Sequence, residues 1–299
     1  MDIALIPNRD KPDAMEAARH LQALLAGPTG TSKGVKRVAL LPNATRAQLL
    51  EFNAGLLVVL GGDGSILAAA QAVAGMDTPV LGVNFGKLGY LAAYSIDEFL
   101  IHLDVILTGR APYTLRLMLR AEIYPWRDSI PTTIQSLAEL KAQTPRHAGT
   151  ALNDVVINAG EPFRMVELEV QVNEQRTATF RSDGLIVATA SGSTGYNLSA
   201  GGPLISPEVP AMVLTPICPY TLSFRPVVLP ESSSILVCPH RLNPGTRVVF
   251  DGQVNTPIRE NECLLIRRAE SCLKLVENPK MSHWQMLAHK MHWAQSPRL

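Results

Sequence analysis

The sequence is poor in charge, in aromatic rings and in cysteine, and it has no long apolar run. Charged residues fill 18% of 299 positions and nearly cancel, leaving a formal net charge of +1. A dedicated nucleic-acid binder carries a basic domain or stripe, so no nucleic-acid partner is expected. No stretch approaches the roughly 18 apolar residues of a membrane span. The longest run in the first half, Ala54–Leu60, suits a buried strand instead. The four cysteines, Cys218, Cys238, Cys263 and Cys272, show no C-x-x-C spacing, which argues against a zinc site or a redox pair. Asp2 stands where a secretory leader carries basic residues, and no cleavage pattern follows. The expectation is a cytoplasmic globular protein with no membrane partner, long enough to bury a large core without disulfides.

What is present divides into two styles. Up to about residue 110, short apolar runs alternate with helical periodicity. Ile3–Ile6, Val38–Leu41, Leu56–Leu60 and Val80–Val83 read as strands. Between and after them, Ala14, Ala17, Ala18, Leu21 and Leu25 share one helical face. A second stripe runs through Ile96, Phe99, Leu100, Leu103, Ile106 and Leu107 within Ser95–Leu107. Strands separated by helices imply βαβ units and a Rossmann-like, largely parallel sheet. Continuous rather than alternating apolar strands fit a sheet covered on both faces. From 111 to 276 the rhythm changes. Met165–Val172 alternates with a strict period of two, and Leu185–Thr189, Ile235–Val237, Arg247–Phe250 and Leu264–Arg267 are short strands between Gly/Pro clusters. That pattern predicts an all-β second domain. Arg127–His147 is polar and irregular and reads as an exposed loop insertion. Residues 277–299 form a helical tail expected to pack back on the first domain.

Four clusters could carry chemistry. Gly61-Gly62-Asp63-Gly64 follows strand Leu56–Leu60 and precedes a helix expected from Ser65 to Ala74. Glycines allow a sharp turn and close backbone approach, and a helix N-terminus attracts phosphate. The spacing is neither a Walker A loop nor a G-x-G-x-x-G fingerprint. An aspartate here either accepts a substrate proton during phosphoryl transfer or caps the following helix. The second cluster, Asn84–Leu91, follows Val80–Val83 at a strand end, where open α/β sheets bind ligands. In the third, Asn153 and Asp154 open an apolar strand, as hydrogen-bonding groups for a ribose or base or as an Asx turn. The fourth runs from Arg181-Ser182-Asp183-Gly184 into Ala190–Pro203, a stretch of small and hydroxyl residues without acids, with Tyr196 available for stacking.

Taken together, Gly61–Gly64, Asn84–Leu91, Leu152–Ile157, Asp183–Val187, Gly192–Pro203, Thr215–Arg225 and Asp251-Gly252-Gln253 resemble the NAD kinases of bacterial type, in order and context. The resemblance covers most of the chain from about Leu56. It implies two domains with the active site in the cleft between them, and phosphoryl transfer from ATP or polyphosphate to the 2′-hydroxyl of the adenosine ribose of NAD. By the same resemblance Asp63 is the proton acceptor and Gly64 lines the substrate. Asn153 and Asp154 match the family's Asn-Glu pair, one methylene shorter at the acid. Arg181 and Asp183 match its Arg-x-Asp; Ser191, Gly192, Ser193, Thr194, Gly195, Tyr196 and Ser199 match its adenosine loop; Gln253 matches its DGQ position. Gly195 stands where alanine is common, and Tyr220 where many bacterial members carry histidine. Mg²⁺ is expected with the donor phosphates, without a dedicated protein cage, and a homo-oligomer, dimer or tetramer, is implied.

Two other readings compete. A diacylglycerol-type lipid kinase shares the Gly61–Gly64 turn but leaves the Asn153–Asp154 pair and the 192–196 loop unexplained. A non-catalytic dinucleotide sensor would tolerate loss of Asp63, which this sequence keeps.

Overall fold

The computed structural model describes residues 1–42, 44–85, 89–126 and 134–291. The chain divides into two compact units, Met1–Leu115 with Leu273–Leu299, and Arg116–Cys272. In chain order the first unit begins with β1 (Asp2–Pro7), α1 (Pro12–Ala26), α2 (Pro28–Ser32), β2 (Arg37–Leu40), α3 (Arg46–Phe52) and β3 (Leu56–Leu60). It continues with α4 (Asp63–Val73), β4 (Val80–Val83), α5 (Ile96–Ile101), α6 (Leu103–Leu107) and β5 (Tyr113–Arg116). The second unit holds β6 (Leu119–Pro125), α7 (Ile134–Ala142), β7 (His147–Ala151), β8 (Asp154–Asn158), β9 (Val166–Val172), β10 (Gln175–Ser182) and β11 (Gly184–Thr189). A 3-10 turn at Ser191–Thr194 leads to α8 (Tyr196–Ser199), β12 (Ala211–Ile217), β13 (Val227–Pro230), β14 (Ile235–Arg241), β15 (Arg247–Phe250), β16 (Val254–Pro257) and β17 (Glu262–Arg268). The chain then returns to the first unit with β18 (Leu273–Val276) and α9 (His283–Met291).

The first unit's sheet has the order β2-β1-β3-β4-β18-β5, with parallel pairing from β2 to β18. Every residue of β3 and β4 is buried, as a strand covered on both faces requires. Helix α1 starts with proline, whose fixed φ suits a first helical turn, and buries Ala14, Ala18, Leu21 and Leu25 along one stripe. Ser95 and Glu98 close a capping box at the start of α5. The single helix expected over Ser95–Leu107 is divided at His102, whose ring shares the Glu98 carbonyl with its own backbone N–H. The apolar stripe nevertheless stays buried at Phe99, Leu103, Ile106 and Leu107. The expected boundary at 276 moves to 272, because β18 pairs with β4 rather than with the antiparallel strands. The tail after β18 is tied to the same unit. The Tyr94 hydroxyl donates to Glu277 O at 2.7 Å, and Asn278 Nδ2 donates to Ala93 O at 2.9 Å.

The second unit is a sandwich of two six-stranded sheets, β10-β9-β14-β17-β6-β7 and β13-β12-β11-β8-β15-β16. All pairings in both are antiparallel. The core between them takes Leu168 and Val170 from β9, Val155 and Ile157 from β8, and Val187, Val248 and Phe250 from neighbouring strands. The exposed insertion expected at Arg127–His147 is corrected within the described residues. Ile134–Ala142 is a helix, and its Leu137 and Leu140 are buried against Tyr124, Leu236, Cys238, Cys263 and Leu265. Residues 127–133 lie outside the described set. Glu169 and Gln171, the polar positions of the β9 alternation, are buried as well. Glu169 is paired with Arg176 at 3.0 Å and His240 at 3.1 Å and accepts from Gln171. Cys238 and Cys263 are free thiols with sulfurs 2.7 Å apart. Their mutual contact and burial push the Cys238 thiol far up.

Candidate functional site

The apolar strand β3 ends at Leu60, and Gly61 N donates to Val83 O at 2.8 Å, fixing the turn beside β4. Helix α4 opens at Asp63, two residues earlier than expected, with Gly62 as a cap that offers no side chain. The Asp63 carboxylate therefore does not serve as a helix cap. It reaches the loop after β4, where Oδ2 accepts Tyr90 N at 2.8 Å. Oδ1 accepts Leu91 N at 2.9 Å and Ala92 N at 3.1 Å. This approach requires glycine at 89, because a Cβ there would stand 1.9 Å from Asp63 Oδ1. Two carboxylate oxygens offer about four lone-pair directions, so three amides leave roughly one for another donor. Gly64 is exposed in the first turn of α4. The Tyr90 hydroxyl is buried without a hydrogen-bond partner, and burial, then the Asp63 charge, pushes it up.

In the second unit, alternation along β8 sends Val155 and Ile157 into the sandwich and places Asp154, Val156 and Asn158 on the opposite face. That face borders a cavity of about 350 Å³ lined also by Asn153, Tyr196, Val249, Asp251 and Gly252. Asp251 adopts a left-handed φ of 52°, which an aspartate tolerates better than most residues. Its carboxylate accepts Leu152 N at 2.8 Å, Asn153 N at 2.7 Å and Asp154 N at 3.1 Å. Its own N–H donates to Asp154 O at 3.0 Å. Burial, then the Asp251 charge, pushes the Asp154 carboxyl up to about 7. Asn153 Oδ1 is buried and has no partner.

The stretch Ser191–Ser199 is folded tightly against this strand. Thr189 Oγ1 donates to Leu152 O at 2.7 Å and accepts Gly192 N at 3.0 Å. A Cβ at Gly192 would stand 2.1 Å from Asn153 O, so only glycine permits the contact. The Ser193 hydroxyl faces inward and bonds both Ile205 O and Ile205 N. Asn197, fully buried, donates to Ser193 O and Pro203 O and accepts from Thr215. Tyr196 stands at the cavity rim, 43% exposed. Ser191, Thr194 and Gly195 are half-buried, and Ser199 is exposed.

The structure thus brings Asn153, Asp154 and Tyr196 to one cavity, with Gly192 behind them. Arg181, Asp183 and Gln253 do not line it. Arg181 lies on β10, in the other sheet, where its Nε donates to Glu167 at 2.7 Å. Asp183 is the half-buried joint at which the chain crosses from β10 to β11 and changes sheet. Gln253 is exposed in the turn between β15 and β16, and Tyr220 is 74% exposed. Sequence reasoning passed over Asp251 in favour of Gln253 and missed Val156, Asn158 and Val249. Counting by twos from Asp154 yields Val156 and Asn158; Asp251 acts on backbone amides, which leave no side-chain pattern.

Residues 31–111 match the family model described as ATP-NAD kinase N-terminal domain, and residues 152–278 the one described as ATP-NAD kinase C-terminal domain. Among curated relatives, an NAD kinase of Magnetococcus marinus is 35% identical over 98% of this chain and 94% of its own length. One of Syntrophotalea carbinolica is 37% identical over 80% of this chain and 79% of its own. Among solved structures, a yeast NADH kinase complexed with NADH aligns with a TM-score of 0.81 at 23% identity, covering 100% of this chain and 89% of that one. An Archaeoglobus fulgidus NAD kinase in complex with ATP gives 0.70 at 24% identity, over 94% and 95%. These two structural likenesses speak for the fold.

Proposed function

The chain belongs to the NAD kinase family, enzymes that phosphorylate NAD, and from that premise we propose that it transfers a phosphoryl group from ATP or polyphosphate to the 2′-hydroxyl of the adenosine ribose of NAD. The observation that carries the chemistry is the Asp63 carboxylate, aimed by three amides with about one acceptor direction left. As the ribose oxygen bonds to the donor phosphorus, its O–H proton passes to Asp63 and the bond from phosphorus to the leaving phosphate oxygen breaks. Such transfer demands positioning more than a strong base, and a fixed carboxylate supplies that. Gly64 lines the same substrate.

Asn153, Asp154 and Tyr196 hold the adenosine end, helped by Ser191, Gly192, Thr194, Gly195 and Ser199, while Ser193 braces the turn from inside. For Arg181, Asp183 and Gln253 a ligand contact rests on the family resemblance alone. The divalent cation, Mg²⁺, is read as arriving on the donor phosphates, as it does at phosphoryl-transfer sites. When bound, it neutralises phosphate charge. The working form is read as a cytoplasmic homo-oligomer, for which light scattering gives the subunit number.

The lipid-kinase reading leaves the match over 152–278 unexplained. The experiment is direct: purified protein with NAD, ATP and Mg²⁺ yields NADP, and 2′-deoxy-NAD binds without reacting. Phosphorylation of diacylglycerol, or binding of NAD with no NADP from any phosphate donor, overturns the reading.

A further inference from the structure

We propose that Asp251 is the positioning residue of the ligand cavity: it fixes the Asn153–Asp154 backbone and, held as an anion by three amide donors, keeps the shared proton of the two carboxyl groups on Asp154. The inference rests on the NAD kinase reading only for what the cavity binds.

Three facts carry it. The amides of residues 152, 153 and 154 all converge on the Asp251 carboxylate, and hydrogen bonds from N–H groups favour the charged form of the acceptor. Asp154 lines the same cavity, and its carboxyl makes no hydrogen bond among the described residues. Two carboxylates in one partly dry site cannot both ionise cheaply, so the one without donors takes the proton. Among the described residues that line the cavity with Asp154 there is no cation to reverse this. From β11 no titratable side chain faces it, α8 contributes Tyr196, and the turn after β15 contributes Asp251. Arg247 of β15 lies opposite Asn158 at the far end of β8, with its guanidinium on Asn255 at 2.7 Å. The position of Asp154 at about 7 agrees with this assignment.

The consequence is a cavity whose acid, beside the Asn153 side-chain carbonyl, changes charge around neutral pH. It ties nucleotide binding to one proton that Asp251 controls. Asp251→Asn keeps the shape but turns an amide group toward backbone N–H donors. It is expected to raise KM for NAD about tenfold or more, the scale of unpaired polar groups, while kcat stays within about threefold. Carbon-13 NMR of the aspartate carboxyls gives a readout independent of turnover. In the unaltered protein Asp154 is expected to titrate near 7, and in Asp251→Asn its midpoint is expected to fall by at least about one pH unit. Asp154→Asn serves as a second variant and should remove the break near neutrality from the pH profile of kcat/KM for NAD.

An Asp154 carboxyl that titrates in the ordinary aspartate range in the unaltered protein overturns the inference. So does an unmoved midpoint in Asp251→Asn. If the unaltered protein makes no NADP, the NAD kinase reading fails while the NMR result still judges Asp251.

Discussion

Asp63 and Gly89 act as one unit although they are far apart in the chain. Replacing Asp63 with Asn keeps the shape but points an amide at backbone donors and removes the proton acceptor. Turnover should fall by at least about 10²-fold, the lower scale of general-base catalysis, with much less change in NAD affinity; steady-state kinetics beside isothermal titration separate the two. Gly89→Ala should lose activity comparably, because the new methyl would overlap Asp63 Oδ1 at 1.9 Å. Wild-type turnover in Asp63→Asn would remove Asp63 from the mechanism, and in Gly89→Ala it would show that the carboxylate need not be held by this loop. Both the 61–64 turn and the 84–91 loop were legible in the sequence as separate motifs. Their connection was not, since a carboxylate bound to the backbone of residues 90–92 depends on two strand ends lying side by side. Asp251, quoted in the sequence only as the start of its Asp-Gly-Gln motif, was given no role for the same reason. Asn153, Asp154 and Tyr196 could be picked out because their side chains carry the signal.

At the scale of elements, the sequence reveals a strand or helix best where burial imposes one clear period. β1, β3, β4, β8 and β9 fall where their apolar patterns place them. Helix α7 does not: Leu137 and Leu140 mark its buried side among the described side chains, beside exposed Ala138, Glu139 and Lys141. Its role is to cover the outer face of one sheet, over Cys238, Cys263 and Leu265, on the sheet that does not carry the ligand cavity. Leu140→Ala empties a fully buried position and should cost about 2–5 kcal/mol, the range for such core truncations. Thermal unfolding should show a lower Tm while KM for NAD is unchanged. An unaltered Tm would mean that α7 does not pack as described. Strand β18 shows a different limit. Leu273–Val276 reads equally well as a parallel or an antiparallel strand, and only its partner decides.

For the whole molecule, the change from alternating strands and helices to β-rich punctuation announced two folding units, and the near-neutral composition excluded other classes. The unit boundary escaped because the chain comes back to where it started. If the donor phosphates bring the cation, EDTA should abolish NADP formation, and Mg²⁺ or Mn²⁺ should restore it. Turnover that persists in EDTA would require the protein to stabilise the phosphate charge by itself.

That return has a consequence for the order in which the chain matures. Strand β18 stands between β4 and β5 in the first unit's sheet. Tyr94 already bonds Gly82 and Asn84, so during synthesis the edge of β4 that waits for the last part of the chain is the stretch at Val80, which pairs with Leu275. Domains tend to fold as units as they leave the ribosome, and here the unit that starts first finishes last. The sandwich of Arg116–Cys272 is complete while its predecessor is still one strand short. Throughout that interval the open stretch at Val80 and strand β5, whose neighbour in the sheet is β18, are templates for pairing with another chain. The nascent protein is therefore most vulnerable to aggregation late in translation, at the part of the molecule made earliest.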